Sequence, residues 1–320
     1  MQPNFLLIKE LEGQYDQLVF MTTAAMEKKK KRHYLLSALG IDAAQSRCIV
    51  VVEDNYEYII NELNKQAFGN DDEYILNITG GTKVMSIALY EFFKDKKSSF
   101  YYVPIGKNEI MDLRAHTIRT LSYRLNLKEY LTLNSLHFEC DNGFLLPPET
   151  AYATFEQFRK KRFYIPSKCK NAQALPMPEE RRYYAGAWFE DYVYLRIKND
   201  FNLHDGEIAK SVKIYRESST TNDNEIDVAY VKDNMLSIIE CKVSMIGNHS
   251  HPKDTVEEYL YKIAAVAKDL GMRVNSYLFT LHKMETFNEL TLDNIHKRAS
   301  ILGIKQIVTS DALVKDRLKL

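Results

Sequence analysis

The sequence predicts a two-domain α/β protein, and three observations carry that prediction. Its 320 residues are about twice a typical domain. The first third alternates continuous apolar runs with helical stretches, the pattern of a Rossmann-like, mostly parallel sheet covered on both faces. From Tyr183 onward the order becomes helix, three antiparallel strands, helix, strand, helix, strand.

In chain order, Phe5 to Leu11 reads as a short helix stopped by Gly13. Strands follow at Gln17–Thr23, Arg47–Glu53, Tyr74–Thr79 and Ser99–Pro104. Between them lie helices from Ala24 to Leu39, with Gly40 as its stop, from an Asp54 cap to Gln66, and from Thr82 to Phe93. An α/β sheet ordinarily opens with a strand, so the expected domain of residues 1–125 lacks its first one. Residues 126–182 read as a linker or connecting segment, with a basic helix at Ala151–Arg162 followed by Pro166, Pro176 and Pro178. The second domain, residues 183–320, opens with a helix over Ala185–Lys198. Strands Ser211–Tyr215, Glu225–Val231 and Met235–Val243 follow, the last two joined by a turn at Lys232–Asn234. Asp254 and Glu257 form a capping box for a helix striped by Val256, Leu260, Ile263, Val266 and Leu270. Strands at Ser276–Thr280 and Lys305–Thr309 flank a helix over Leu292–Leu302.

Composition narrows the function. Forty-three Lys+Arg balance 43 Asp+Glu, so a nucleic-acid site has to be a local patch rather than a global positive field. No apolar run approaches the roughly 20 residues that cross a bilayer, and the N-terminus has no signal-peptide pattern. Cys48, Cys140, Cys169 and Cys241 are scattered, without CxxC, which argues against a cysteine zinc motif or disulfide framework. A cytoplasmic protein is expected.

The chemistry gathers at the hairpin around Asp233. With side chains alternating faces, Glu225 and Asp227 share one side of their strand, and Glu240 and Lys242 share one side of the next. Such charges among apolar residues are costly unless paired or metal-bound. Hard carboxylate oxygens suit Mg²⁺ or Mn²⁺, with the lysine placed to orient or deprotonate a water. A plain Glu240–Lys242 surface ion pair is the bland alternative for ExK alone. Glu225 reads equally as an auxiliary ligand or as an outer, hydrogen-bonded group. Trp188 and Phe189 read as core. His249 and His251 read as loop histidines, and Tyr261 and Lys262 as groups that could face the scissile phosphate.

A second motif, Asn77-Ile-Thr-Gly-Gly-Thr-Lys83, ends a parallel strand and opens a helix. Glycines admit a close ligand, and a helix N-terminus favours phosphate. Neither GxxxxGK[ST] nor GxGxxG is present. By spacing alone, a tight strand–helix turn accounts for the motif equally well.

The stretch containing GAWFEDYVY, NEID and IECK resembles the PD-(D/E)xK (restriction-endonuclease-like) nuclease superfamily. That resemblance implies metal ligands at Asp227 and Glu240, a backbone ligand at the Cys241 carbonyl, a completing Glu190 and a catalytic Lys242. Ile226 stands where that family usually has Pro. NITGGTK resembles the CARF domains, sensors of cyclic oligoadenylates in type III CRISPR defence. Thr22-Thr23 and Pro104-Ile105-Gly106-Lys107 match ligand-facing loops of that family. The implied ligand contacts are Thr22, Thr23, Asn77, Thr79, Gly80, Gly81, Thr82, Lys83, Ile105 and Gly106.

Together the motifs resemble the CARF-containing CRISPR ancillary nucleases. The expectation is a homodimer activated by cyclic tetra-adenylate that uses Mn²⁺ or Mg²⁺ to cut single-stranded DNA or RNA and nick duplex DNA. The alternatives are a ring nuclease that cleaves its own activator, and a non-catalytic sensor or nucleic-acid-binding module.

Overall fold

The computed structural model describes residues 1–160, 167–215, 224–244, 252–282 and 287–320. His249 and His251, and the side chain of Asp254, lie outside the described residues. The chain divides into two units, Met1–Ser135 and Leu136–Leu320.

The first unit runs α1 (Gln2–Glu10), β1 (Leu18–Thr23), α2 (Ala24–Lys28), α3 (Lys31–Leu39), β2 (Ser46–Val51), α4 (Tyr56–Asn64), β3 (Tyr74–Asn77), α5 (Lys83–Phe93), β4 (Ser98–Tyr102), β5 (Glu109–Asp112), β6 (Thr117–Thr120) and α6 (Leu127–Leu133). The expected single helix over Ala24–Leu39 is broken by Lys30, which sits at φ 52°. Five consecutive cations, Lys28 to Arg32, cross that break, and like charges one turn apart disfavour a continuous helix. Gly40, at φ 69°, ends α3 as its position predicts. Asn55 rather than Asp54 caps α4, its Oδ1 accepting from Tyr58 N at 2.9 Å.

The expected parallel sheet is two ladders. β1 pairs parallel with β2, and β3 pairs parallel with β4, which continues antiparallel into the hairpin β5–β6. Among the described residues no ladder joins β1 to β3. One core nevertheless unites the two, with Ile49 and Val51 of β2, Leu76 of β3 and Phe100 of β4 packed against Ile59, Leu63, Met85 and Ala88.

The second unit builds one six-stranded sheet in the order β12-β11-β10-β9-β8-β7. Its elements are β7 (His137–Cys140), α7 (Glu149–Lys160), α8 (Ser167–Lys170), α9 (Pro178–Arg182), a π-turn (Tyr183–Ala187), α10 (Trp188–Asp200), β8 (Ile208–Tyr215), β9 (Asn224–Lys232), β10 (Met235–Lys242), α11 (Pro252–Asp269), β11 (Val274–Thr280), α12 (Glu289–Ile301), β12 (Ile304–Val308) and α13 (Ser310–Leu313). Strands β7 to β10 are antiparallel, and β10 to β12 are parallel. The turn between β9 and β10 has Asp233 at φ 51° and Asn234 at φ 60°, the two left-handed residues of a tight hairpin.

The segment read as a connector does more than connect. Leu127, Tyr130 and Leu131 bury α6 in the first unit, while β7 adds an edge strand to the second. Helix α7 buries Ala151, Phe155 and Phe158, and the Phe155 ring stacks on Tyr192 with centroids 4.0 Å apart. Apolar residues at helical spacing outweigh the loop signal of the nearby prolines.

Candidate active site and ligand loop

The C-terminal unit brings its acidic and basic residues together where β9 and β10 part. Their ladder ends at Ile239↔Val228. Beyond it the Cys241 amide donates to Asp227 Oδ2 at 2.7 Å, a side chain taking the place of a strand partner. Lys242 Nζ lies 2.7 Å from Glu240 Oε1 and 3.9 Å from Asp227 Oδ2. The Lys242 ammonium also sits 5.2 Å above the Tyr259 ring of α11. Lys262, one turn further along α11, reaches the same Glu240 oxygen at 2.7 Å. Glu240 is 5 % exposed, so its charge is held almost wholly by protein cations. Tyr261 points elsewhere, under the Arg298 guanidinium and 47 % exposed.

Burial raises the Asp227 carboxyl to about 7, with Glu240 adding to the rise and Lys242 opposing it. Glu190 on α10 is raised as well, first by burial, against the pull of Lys242 and with Glu225 and Asp191 pushing further up. Burial works against the Lys242 charge, but Asp227 and Glu240 more than offset it and hold the ammonium above its ordinary value. Asp227 and Glu240 thus favour the charged form of Lys242. Glu190, the exposed Glu225 and Asp227 also line one cavity of about 360 Å³.

Among the described residues no three acidic, His or Cys side chains are already spaced as a cage, and two ammonium groups occupy one Glu240 oxygen. Burial lifts Asp227 first, and the repulsion from Glu240 that adds to it is what a divalent cation relieves; the donors are all hard oxygens. The donor set fits Mg²⁺ or Mn²⁺. Cys241 is buried, and it meets the site through its amide. Trp188 and Phe189 are wholly buried in the core.

In the N-terminal unit, every residue assigned to the ligand lies beyond or at the C-terminal end of β1, β3 or β4. Most of the hydroxyls there hold the loop itself. Thr79 donates to Asn77 Oδ1 at 2.6 Å and accepts from the Val103 amide at 2.7 Å. Thr82 donates to the Glu53 carbonyl at 2.7 Å and caps α5 through Met85 N. Thr23 is buried and caps α2. Asn77 Nδ2 donates to Asn4 Oδ1 at 2.8 Å and to the Pro3 carbonyl at 3.2 Å, tying the loop to α1. Those framing hydrogen bonds leave Gly80, Gly81 and Lys83 exposed. Gly81 sits at φ 82°, and a Cβ there would lie 3.2 Å from Met85 Sδ. Thr22, Ile105 and Gly106 are part-buried at the neighbouring strand ends.

Fold and site together define a two-unit protein, an α/β unit with an exposed glycine-bearing loop at its strand ends followed by a mixed-sheet unit that gathers a cluster of charged side chains. Residues 1–130 match the family model described as Card1 CARF domain, and residues 177–318 match the Card1-like endonuclease domain. The chain belongs to the CARF-domain nucleases. No curated protein matches it. Among solved structures it is similar to Can2 from Sulfobacillus thermosulfidooxidans in complex with cyclic tetra-adenylate, at 20% identity and a TM-score of 0.71, covering 97% of this chain and 92% of that one. It is also similar to protein VC1899 from Vibrio cholerae, at 18% identity and a TM-score of 0.72, covering 98% and 93%. A type III CRISPR defence DNA nuclease activated by cyclic oligoadenylate matches at 14% identity and a TM-score of 0.58, covering 88% of this chain and 43% of that one. At these identities the likeness is one of fold.

Proposed function

We propose that this protein is a nuclease switched on by a cyclic oligoadenylate, cyclic tetra-adenylate first among them, and that it cleaves DNA or RNA in type III CRISPR defence. The observation that carries this reading is one chain holding a CARF domain and an endonuclease domain, with Asp227, Glu240 and Lys242 gathered in the second. The solved Can2 complex with cyclic tetra-adenylate supports the choice of activator.

Asp227 and Glu240 would hold Mn²⁺ or Mg²⁺, with Glu190 completing the set and Glu225 in an outer position. When bound, the metal supplies charge neutralisation at the phosphodiester and a nucleophilic water at neutral pH. Lys242, beside Asp227 and Glu240, would attract and orient the anionic phosphodiester. Gly80, Gly81 and Lys83 offer the activator exposed backbone and one cation at the start of α5. A two-fold ring ligand suits a homodimer with one such loop from each copy. The exposed Ile87 and Tyr90 on α5 support an apolar contact between copies.

The test is cleavage of labelled single-stranded DNA, single-stranded RNA and supercoiled plasmid with Mn²⁺ or Mg²⁺, with and without cyclic tetra-adenylate. Activator-dependent cutting that disappears in Glu240→Ala is the expected result. No cutting of any of the three substrates under any of these conditions would overturn the reading.

A further inference from the structure

We propose that Arg182 grips a substrate phosphate next to the scissile one, an assignment that rests on the nuclease reading of the C-terminal unit. Three independent features converge on this residue.

The first is helical phase. Arg182 ends α9 and precedes the π-turn, which runs without interruption into α10. In an unbroken α-helix of about 100° per residue, Arg182 and Glu190 would stand about 80° apart. A π-turn takes up one extra residue, which shifts the following helix by about 100° and brings the two to within about 20° of one face. The outcome is visible in the cavities: Arg182 and Glu190 line the same two, one of about 360 Å³ shared with Asp227 and a neighbouring one of about 190 Å³.

The second is the charge balance of those cavities. Three carboxylates, Glu190, Glu225 and Asp227, line the larger one. Arg182 is exposed there and makes no ion pair or hydrogen bond with any described residue. Lys210, the other cation of the smaller cavity, is committed to Asp191 and lies 4.1 Å from the Phe144 ring. A polyanion approaching a carboxylate-lined cleft is repelled unless a fixed cation receives it. A guanidinium in reach of that cleft and without a partner among the described residues has the fork geometry that binds a phosphate in two places.

The third is backbone strain. Ser211 lines both cavities and adopts φ 45° within β8, opposite Asp227 and between the in-register pairs Lys210↔Val228 and Val212↔Ile226. A left-handed serine in mid-strand is disfavoured, and such residues cluster where a ligand is bound. It lies in the β8–β9 ladder beside the cavities that Arg182 also lines.

The experiment compares full-length wild type, Arg182→Ala and Arg182→Lys in binding and in turnover. Binding of a fluorescent single-stranded DNA oligonucleotide is read by anisotropy, in Ca²⁺ with cyclic tetra-adenylate present, across a salt series. Arg182→Ala should weaken binding about tenfold and flatten the slope of log affinity against log salt by about 0.7, the loss of one phosphate contact on a single strand. Arg182→Lys should restore the slope and part of the affinity. In Mn²⁺ the alanine variant should raise KM by a larger factor than it lowers kcat. Unchanged affinity and slope in a folded variant that still cuts would overturn this assignment and leave the nuclease reading standing. A fall confined to kcat would also overturn it, placing Arg182 at the reacting centre instead. A wild type that neither binds nor cuts would remove both.

Discussion

Lys262 donates to Glu240 at 2.7 Å across 22 residues of sequence, sharing one carboxylate oxygen with Lys242. The contact ties α11 to the end of β10 and helps hold the Glu240 carboxylate in place. Groups that orient a ligating carboxylate commonly matter 10- to 100-fold for metal affinity or activity. Lys262→Ala should therefore shift the Mn²⁺ concentration giving half-maximal cleavage upward by about tenfold or more. A metal titration superimposable on wild type would remove Lys262 from the site.

Lys242 carries the largest expected effect. Its removal leaves Asp227 and Glu240 facing each other without their shared cation. Lys242→Ala should lose cleavage by about a hundred- to a thousandfold, an electrostatic loss of the usual size for one such group, while isothermal calorimetry still detects cyclic tetra-adenylate. Ordinary turnover in that variant would refute the catalytic assignment.

Asp227 sets a pH dependence of stability in the metal-free protein. Its carboxyl titrates near 4 when unfolded and near 7 when folded. A raised folded value means stability that is present below about pH 4 and lost as pH rises toward 7. In EDTA the Tm of the second unit should fall by several degrees across that window, and Asp227→Asn should flatten the profile. Mn²⁺ added at pH 7.5 should restore the loss.

Glu10 gives the opposite sign in the first unit. Its side chain is 2 % exposed, and it accepts from Arg119, from Ser122 and from the Tyr123 amide. Burial alone would raise the carboxyl, but those hydrogen bonds overcome it and hold it below its ordinary value. The stabilisation is thus present above the unfolded value of about 4.3 and is lost as pH falls through the folded one. Glu10→Gln should cost about 1–3 kcal/mol at pH 7 and progressively less in acid, as read by urea unfolding at several pH values.

Gly81 tests the sensor loop. At φ 82°, with Met85 Sδ in the path of a Cβ, alanine is disfavoured by backbone and by packing together. Gly81→Ala should raise the activator concentration needed for half-maximal cleavage by about tenfold, equivalent to about 1.4 kcal/mol. An unchanged activation curve would show that the loop conformation is not what the ligand reads.

Local pattern was enough for much of the architecture. Continuous apolar runs marked β1 to β4, Gly40 marked a helix end, and the Asp233 turn marked the hairpin that carries Asp227 and Glu240. Those features depend on neighbours a few residues away, and so they are written in the sequence. The hairpin β5–β6 and the edge strand β7 escaped because, unlike β3, these four-residue strands mix polar and charged residues into the run and so show no continuous apolar stretch.

What the sequence determined by itself is the pairing of two domain types and the residues NEID and IECK at hairpin spacing, because alternation of side chains needs only strand geometry. What only the tertiary structure decided is how those groups are used. Packing of α11 against the sheet brings Lys262 to Glu240, the parting of β9 from β10 turns the Cys241 amide onto Asp227, and the π-turn swings Arg182 into line with Glu190. Each depends on the relative placement of segments remote in the chain, or on a helical phase that residue spacing alone misstates by a full residue.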